Sequence, residues 1–288
     1  SLQSAITYLH QPPAEANTQS LLERTHPAWR RVQFEELLAQ QISLKRAHAI
    51  RRERHAPSFN KVQSEDKDKT RVQSLEEGLL KVLPFKLTSA QDRVWSEISK
   101  DLSKSFPMNR LLQGDVGSGK TVVAALAAAR VMDHGYQAAI MAPTEILAEQ
   151  HYLKMKEWFE PLGVKIAWLS GSLKAKEKRL AQEAIENGQA QLIIGTHALI
   201  QESVSFAKLG LAVIDEQHRF GVRQRLEIQQ RVGSELFYCH QLMMSATPIP
   251  RTLAMTYYAD LDVSVIDELP PGRKPIATKV VKASRRDE

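Results

Sequence analysis

Residues 111–131 read LLQGDVGSGKTVVAALAAARV, so that an apolar pair, a glycine-rich loop and an alanine-rich run follow one another directly. The loop, Gly114 to Thr121, matches the pattern G-x-x-x-x-G-K-[ST] in full and lies between a predicted strand and a predicted helix. Glycines let the backbone curl so that successive N–H groups point inward at an anion, and the start of the helix adds partial positive charge. The stretch predicts a phosphate-binding loop. The alternative is a glycine-rich turn with a chance lysine.

Every residue of this loop is a candidate nucleotide-binding residue. We expect Lys120 to reach the β- and γ-phosphates and Thr121 to place its hydroxyl on Mg²⁺. ATP and Mg²⁺ are therefore the predicted cofactors. The loop residues are Gly114, Asp115, Val116, Gly117, Ser118, Gly119, Lys120 and Thr121.

Short apolar runs alternate with helical stretches from about residue 72 to residue 281. Several of the runs lack polar alternation, as expected of strands that are covered on both faces. This alternation predicts an α/β fold with a mostly parallel, doubly wound sheet. The runs are Arg110–Gln113, Ala138–Met141, Lys165–Leu169, Gln191–Ile194, Leu211–Ile214 and Leu242–Met244.

An acidic motif follows one of these predicted strands, in the stretch LAVIDEQH at residues 211–218. Strand ends in parallel sheets face the ligand crevice. Asp215 is expected to hold Mg²⁺ through water, and Glu216 to polarise the attacking water as general base, so Lys120, Asp215 and Glu216 are the candidate catalytic residues. In the alternative interpretation, the acidic pair caps a helix that starts at Gln217.

The first 60 residues predict a helical arm. Their apolar residues recur at helical spacing, and Pro12-Pro13 and Pro27 divide them into short helices and one long helix. So short a segment has few residues for a core of its own, and we expect it to pack on something else. A basic run, Lys45–Arg54, either touches DNA or forms a solvated, salt-bridged helical face. The apolar positions are Phe34, Leu37, Leu38, Ile42 and Leu44.

Composition excludes some classes of protein. With 43% hydrophobic and 25% charged residues, the chain is not disordered throughout. It has no run of about 18 apolar residues, so no transmembrane helix is predicted. The net charge of +6 is compatible with nucleic acid, although many ordinary enzymes share it. The single cysteine, Cys239, excludes an internal disulfide and indicates a reducing cytoplasm.

Three further segments follow predicted strands: APTEILAEQH at 142–151, GTHALI at 195–200 and SATPIPRT at 245–252. With the phosphate loop and Asp-Glu-Gln-His, they resemble, in order, motifs I, Ia, Ib, II and III of superfamily 2 helicases. The resemblance covers most of residues 85–275 and implies a RecA-like motor domain. The stretches LPFKLTSAQ at 83–91, EQHRFGV at 216–222 and ELPPGR at 268–273 are most similar to the bacterial helicases of branched DNA.

The resemblance also implies roles for single residues. Gln91, with Phe85 nearby, is expected to read adenine, unless it is an ordinary glutamine at a helix start. Loops that touch the DNA backbone correspond to Pro143, Thr144, Gly195, Thr196 and His197, although helix caps are the alternative for Thr144 and Thr196. Coupling of nucleotide state to DNA grip is implied for His218, Ser245 and Thr247, with a core role as the alternative for His218 and Ser245.

The same resemblance divides the chain into regions. Residues 1–60 would be the arm at the end of a DNA-reading wedge region, 61–71 a polar linker, 72–275 the first motor domain and 276–288 the start of the connection to a second RecA-like domain of the same chain. The implied partners are DNA forks and Holliday junctions in recombination and repair, with no membrane. The 288 residues alone are expected to be nearly inactive. Two alternatives stay open: a double-strand DNA translocase of the Mfd type and a non-helicase P-loop ATPase.

Overall fold

The computed structural model describes residues 1–61, 74–201, 203–216, 238–246 and 261–268. The predicted linker at 61–71 and the segment 269–288 therefore lie almost wholly outside the described residues. The helices, in chain order, are α1 (Leu2–His10), α2 (Thr18–Leu22), α3 (Pro27–Glu53), α4 (Leu75–Val82), α5 (Ser89–Leu102), α6 (Lys120–Met132), α7 (Glu145–Phe159) and α8 (Ala175–Glu186), with 3-10 turns at Glu160–Leu162 and His197–Ile200.

The strands of the described residues form one sheet, in which every neighbouring pair is parallel. Across the sheet their order is β3-β4-β2-β5-β6-β1-β7. This is the predicted α/β fold, and it is confirmed. The strands are β1 (Asn109–Gly114), β2 (Gln137–Met141), β3 (Ile166–Leu169), β4 (Leu192–Gly195), β5 (Leu209–Ile214), β6 (His240–Ser245) and β7 (Asp262–Ile266).

Both faces of the sheet are covered, which explains the unbroken apolar runs. Side chains of one face pack against α4, α5, α6 and α7, and those of the other face pack against α8 and the 3-10 turn after β4. Neighbouring residues of one strand divide between the two faces: Leu112 and Ile140 join the first core, and Leu111 and Ala139 join the second. Cys239 is a free, buried thiol in the second core.

Four of the six predicted runs lie within a strand, and the runs Lys165–Leu169 and Gln191–Ile194 begin one residue before β3 and β4. Strand β7 was missed. Its sequence, DVSVI, starts with a carboxylate and carries a serine at its centre, so it does not read as a run covered on both faces. It pairs with β1 at the edge of the described sheet, where Ser264 hydrogen-bonds to Arg110. An edge strand tolerates such residues because only one neighbouring strand crowds it.

The arm contacts the sheet through the last turn of α3 and the segment that follows it. Arg51 is buried, with its guanidinium 2.9 Å from Asp262 Oδ2 and donating to the Asn109 carbonyl at 3.3 Å. His240 on β6 accepts a hydrogen bond from Met108 N, and its other nitrogen donates to Pro57 O at 2.7 Å. The arm is thus attached at the amino ends of β1, β6 and β7.

The basic run of α3 divides into residues with different surroundings. Arg51 is in the buried ion pair, Arg52 lies over the Phe106 ring and Arg54 over the Tyr238 ring. These contacts agree with a helical face that packs against the α/β part of the chain, and a DNA contact by this run stays a prediction. The apolar stripe of α3 is exposed among the described residues, at Phe34, Leu37, Leu38 and Ile42.

No helix of the described residues is long and apolar enough to cross a membrane.

Candidate active site

A cleft of about 1030 Å³ opens above the carboxyl ends of β1, β5 and β6. Its walls are the phosphate loop with the first turn of α6, the segment before α5, the inner side of α7 and the acidic motif after β5. The structure thus gathers two motifs that are far apart in the sequence. The predicted site residues that line it are Phe85, Gln91, Val116, Gly117, Gly119, Lys120, Thr121, Asp215 and Glu216.

The phosphate loop needs its glycines for conformation. Gly117 and Gly119 have φ angles of 80° and 92°, in the left-handed region that residues with a Cβ rarely adopt. Gly119 is also the N-cap of α6, and among the described residues no side chain caps this helix end. The first N–H groups of α6 are therefore left available to an anion.

The same loop is tightly packed underneath. A Cβ on Gly114 would lie 2.6 Å from Ser118 Oγ and 3.2 Å from atoms of Ile266 on β7. The Ser118 hydroxyl is buried and has no hydrogen-bond partner among the described residues. Asp115 and Val116, at the outer bend, are exposed. The floor of the loop is thus set by β1 and β7, and its tip faces solvent.

The Lys120 ammonium turns back onto the loop, where it donates to the carbonyls of Gly114 at 2.7 Å and Asp115 at 3.0 Å. Burial lowers the pKa of Lys120, while the nearby carboxylates of Asp215, Glu216 and Asp115 act in the opposite direction. These three carboxylates favour the charged form of Lys120 in the cleft.

Gln91 is almost fully buried and forms a capping box with Thr88 at the start of α5: its Oε1 accepts from Thr88 N, and its own N–H donates to Thr88 Oγ1. Its Nε2 donates to the Ser118 carbonyl at 2.8 Å, so the residue also ties α5 to the phosphate loop. The helix-start alternative thus describes one of its contacts. Reading of adenine by Gln91 stays a prediction, and Phe85, 44% exposed, lies along the same wall.

Asp215 is held on both carboxylate oxygens. Oδ2 lies 2.7 Å from His151 Nε2 on α7, and Oδ1 accepts the N–H of Glu216 at 3.0 Å. Glu216 has a φ of 48°, an uncommon value for a residue with a side chain. Strained conformations of this kind cluster at functional sites.

The predicted DNA-contact residues follow β2 and β4 at the same edge of the sheet. Thr144 is the N-cap of α7, accepting from Leu147 N, and stays exposed. A Cβ on Gly195 would collide with the Leu169 carbonyl, so close packing of β3 and β4 requires this glycine. The Thr196 hydroxyl is buried without a partner among the described residues, whereas His197 is exposed. Pro143 is half-buried at the end of β2.

The predicted coupling residues are described only in part. Ser245 is buried at the end of β6. His218 and Thr247 lie outside the described residues.

His151 and Glu268 line the cleft and were not predicted as site residues. His151 lies on the buried face of α7 with Ala148 and Met155, a spacing at which an apolar residue is expected, so a polar residue there was the available signal. Glu268 follows β7, lines the cleft and accepts the N–H of Ala90 at the start of α5. Glu268 begins the ELPPGR stretch, but that stretch gave it no role in the cleft.

The sequence and the fold of this chain are similar to those of known proteins. The family model of the DEAD/DEAH box helicases matches residues 88–256. The chain is 50% identical over 288 residues to the ATP-dependent DNA helicase RecG of Haemophilus influenzae and 51% identical over 288 residues to that of Escherichia coli K12. All of this chain is covered in both matches, but only 40% of each relative. A solved structure of RecG bound to a three-way DNA junction matches with a TM-score of 0.73 and 42% identity, covering 89% of this chain and 32% of that one.

Proposed function

The chain belongs to the DEAD/DEAH box helicase family, and we propose from this premise that it is the ATP-binding motor part of a bacterial ATP-dependent DNA helicase or translocase that acts on branched DNA. The observation that carries the proposal is the meeting of Lys120, Asp215 and Glu216 in one cleft. The chain spans about two fifths of the length of its RecG relatives, so the activity of the whole protein belongs to the proposal.

The residues of the cleft fit a nucleoside triphosphate. The positive φ angles of Gly117 and Gly119 and the uncapped start of α6 form an anion cradle from the backbone. Lys120 would exchange its two carbonyl acceptors for phosphate oxygens, which are stronger acceptors because they are charged. Phe85 offers an aromatic face for the base. Gln91 offers the second lone pair of its Oε1 and the second hydrogen of its Nε2, because the helix cap and the Ser118 carbonyl use only one of each.

The residues also fit a Mg²⁺ ion that is shared with the nucleotide. No three His, Cys, Asp or Glu side chains form a metal site by themselves within the described parts of the chain. Mg²⁺ is usually held by one or two protein ligands together with substrate phosphates and water. Thr121 would bind the ion through its hydroxyl and Asp215 would hold it through water, and the bound ion would neutralise charge on the phosphate oxygens.

Hydrolysis then needs a positioned water and charge stabilisation. The Glu216 carboxylate would accept the proton of the attacking water, and Lys120 would stabilise the negative charge that develops on the phosphoryl oxygens. The two hydrogen bonds of Asp215 hold its carboxylate in one orientation beside Glu216. Phosphoryl transfer depends mainly on such positioning and electrostatics.

Branched DNA is proposed as the substrate because of the relatives. RecG, the name shared by the relatives that match all 288 residues, is also the protein seen on a three-way DNA junction. Forks and Holliday junctions of recombination and repair are therefore the proposed substrates, and Pro143, Thr144, Gly195, Thr196 and His197 the proposed contacts to the DNA backbone. The free thiol of Cys239 agrees with work in the reducing cytoplasm. The helicase family excludes the non-helicase ATPase alternative, and the relatives favour branched DNA over the Mfd type.

The test is the ATPase rate of the whole protein with forked DNA, with linear duplex of the same length and without DNA. We expect forked DNA to stimulate the rate most, and Lys120→Ala to abolish hydrolysis on every substrate while the protein stays folded. Because Lys120 lies on the rim of the cleft, its loss removes a phosphate partner without opening a core cavity. A rate indifferent to forks, or one unchanged in Lys120→Ala, would contradict the proposal.

A further inference from the structure

His151 occupies a position in α7 that an apolar residue would ordinarily fill. The buried face of this helix consists of Ala148, His151, Met155, Trp158 and Phe159. A buried imidazole is costly unless its nitrogens find partners. The partner of Nε2 is the Asp215 carboxylate at 2.7 Å, and both residues are more than nine-tenths buried. The polar side chain is thus matched to one residue of the cleft.

The direction of this hydrogen bond follows from the chemistry of its two groups. An ionised carboxylate accepts hydrogen bonds and donates none, so Nε2 of His151 carries the hydrogen and donates it to Oδ2. The second oxygen, Oδ1, accepts the N–H of Glu216 at 3.0 Å. The two donors approach from different elements, α7 and the turn after β5, and together they orient the plane of the carboxylate.

We propose that His151 is a positioning residue that orients the Asp215 carboxylate for the Mg²⁺–nucleotide complex, a role that rests on the proposed function of the cleft. Groups that hydrogen-bond to metal-binding side chains orient them, and their loss commonly weakens metal affinity about 10–100-fold. His151 itself acts through Asp215.

The position of α7 gives the contact a second consequence. The helix begins at Glu145, after its N-cap Thr144 and Pro143, which are both proposed to touch DNA. His151 lies on its second turn. A shift of α7 when DNA engages this loop would move the donor of the Asp215 hydrogen bond. The contact thus joins the proposed DNA-binding edge to the proposed metal-binding carboxylate through a single rigid helix.

The experiment measures binding of the non-hydrolysable ATP analogue AMPPNP to this chain by calorimetry, once with MgCl₂ and once with EDTA. The ratio of the two dissociation constants reports how much Mg²⁺ strengthens binding. We expect His151→Ala to reduce this ratio about 10-fold or more while changing the affinity in EDTA little. His151→Gln, whose Nε2 can still donate to Oδ2, should restore most of the ratio.

His134→Ala is the matched control. His134 is a half-buried histidine whose Nδ1 is 2.9 Å from a main-chain carbonyl, and it follows the carboxyl end of α6, away from the phosphate loop. This variant should leave the Mg²⁺ ratio unchanged. The midpoint of thermal unfolding of each variant separates a loss of fold from a loss of orientation.

The outcomes distinguish this inference from the proposed function. If AMPPNP binds the wild type equally well with and without Mg²⁺, and binds Lys120→Ala as tightly as the wild type, the proposed function of the cleft fails. If Mg²⁺ strengthens wild-type binding and Lys120→Ala weakens binding, but His151→Ala keeps the full Mg²⁺ ratio, only the positioning role of His151 fails. Equal losses with Mg²⁺ and with EDTA, accompanied by a lower unfolding midpoint, would make His151 a purely structural residue and overturn the inference.

Discussion

Gly119 leaves no room for a side chain. Its φ of 92° lies in the left-handed region, and a Cβ there would collide with the amide of Gln91. Since that amide caps α5 and binds the Ser118 carbonyl, it is not free to move aside. The position is therefore constrained both by backbone strain and by packing, and both constraints act on the phosphate loop.

We expect Gly119→Ala to abolish nucleotide binding and to destabilise the fold by about 1–3 kcal/mol, the usual cost of a strained backbone conformation. Gly135→Ala separates backbone strain from the clash at the phosphate loop, because Gly135 has a φ of 73° but open space where its Cβ would lie. That control should lose stability alone. Calorimetric titration with AMPPNP and urea unfolding of both variants would check this, and wild-type binding by Gly119→Ala would contradict it.

Glu216 differs from its neighbour Asp215 in the chemistry proposed for it. An amide at position 216 keeps the shape of the side chain but cannot accept a proton from water. Glu216→Gln should therefore retain binding of ATP and Mg²⁺ and lower the ATPase rate of the whole protein about 10²–10⁴-fold. Single-turnover kinetics together with nucleotide binding would measure both. Hydrolysis at the wild-type rate, or loss of ATP binding, would count against its role as general base.

Strands β6 and β7 run from the side of the sheet that contacts the arm to the side that carries the cleft. At their amino ends His240 and Asp262 contact the arm, and beyond their carboxyl ends Ala246 and Glu268 line the cleft. Ile266 of β7 also lies under Gly114 of the phosphate loop. Attachment of the arm and the shape of the cleft floor therefore depend on the same two elements.

The buried His240 should make stability depend on pH. Burial lowers its pKa from 6.5 to about 4, so the folded state binds the proton less readily than the unfolded state. The contribution of neutral His240 to the free energy of unfolding is complete above the pKa of the unfolded state. It is lost, by up to about 3 kcal/mol, as the pH falls from about 6.5 to about 4. Urea unfolding at several pH values should show a shallower acid loss in His240→Gln than in the wild type. Equal slopes would contradict the assignment.

The contact of Arg51 with Asp262 should hold the last turn of α3 on the motor. Arg51→Ala removes a buried cation with its hydrogen bonds, and we expect a loss of about 2 kcal/mol and faster hydrogen exchange in the last turns of α3. Arg46→Ala, an exposed arginine of the same helix, is the control. Unchanged exchange in Arg51→Ala would mean that α3 is held by other contacts.

The described walls of the cleft lack one group that enzymes of phosphoryl transfer commonly use. Among the described residues, no arginine lines it. In enzymes that transfer phosphoryl groups, an arginine that stabilises the transition state is worth about 10³–10⁵ in rate. The charge developing on the γ-phosphate would here be met by Lys120, by the Mg²⁺ ion and by water.

We therefore expect the 288 residues to bind nucleotide but to hydrolyse ATP at least about 10³-fold more slowly than the whole protein, with no stimulation by forked DNA. Parallel ATPase assays of this chain and of the whole protein would test this. Hydrolysis by the chain alone at the rate of the whole protein would show that the described cleft already holds all the catalytic groups.

Local patterns were enough to predict the phosphate loop, the acidic motif and the strands that carry them. Gly114 to Thr121 is contiguous because the curled backbone that binds an anion must be built from neighbouring residues. The strands covered on both faces were recognisable for a similar reason, since burial on both sides leaves an unbroken apolar run. Sites and strands that are formed by neighbouring residues can therefore be predicted from the local sequence.

Contacts between distant residues were decided by packing alone. His151 meets Asp215 across 64 positions of the chain and Arg51 meets Asp262 across 211, and no periodicity in the sequence pairs them. The edge strand β7 was missed because its polar residues are compatible with a strand only where one neighbour is absent. Such partners become visible only after the helices have been packed on the sheet, because their proximity depends on the orientation of whole elements and not on spacing along the chain.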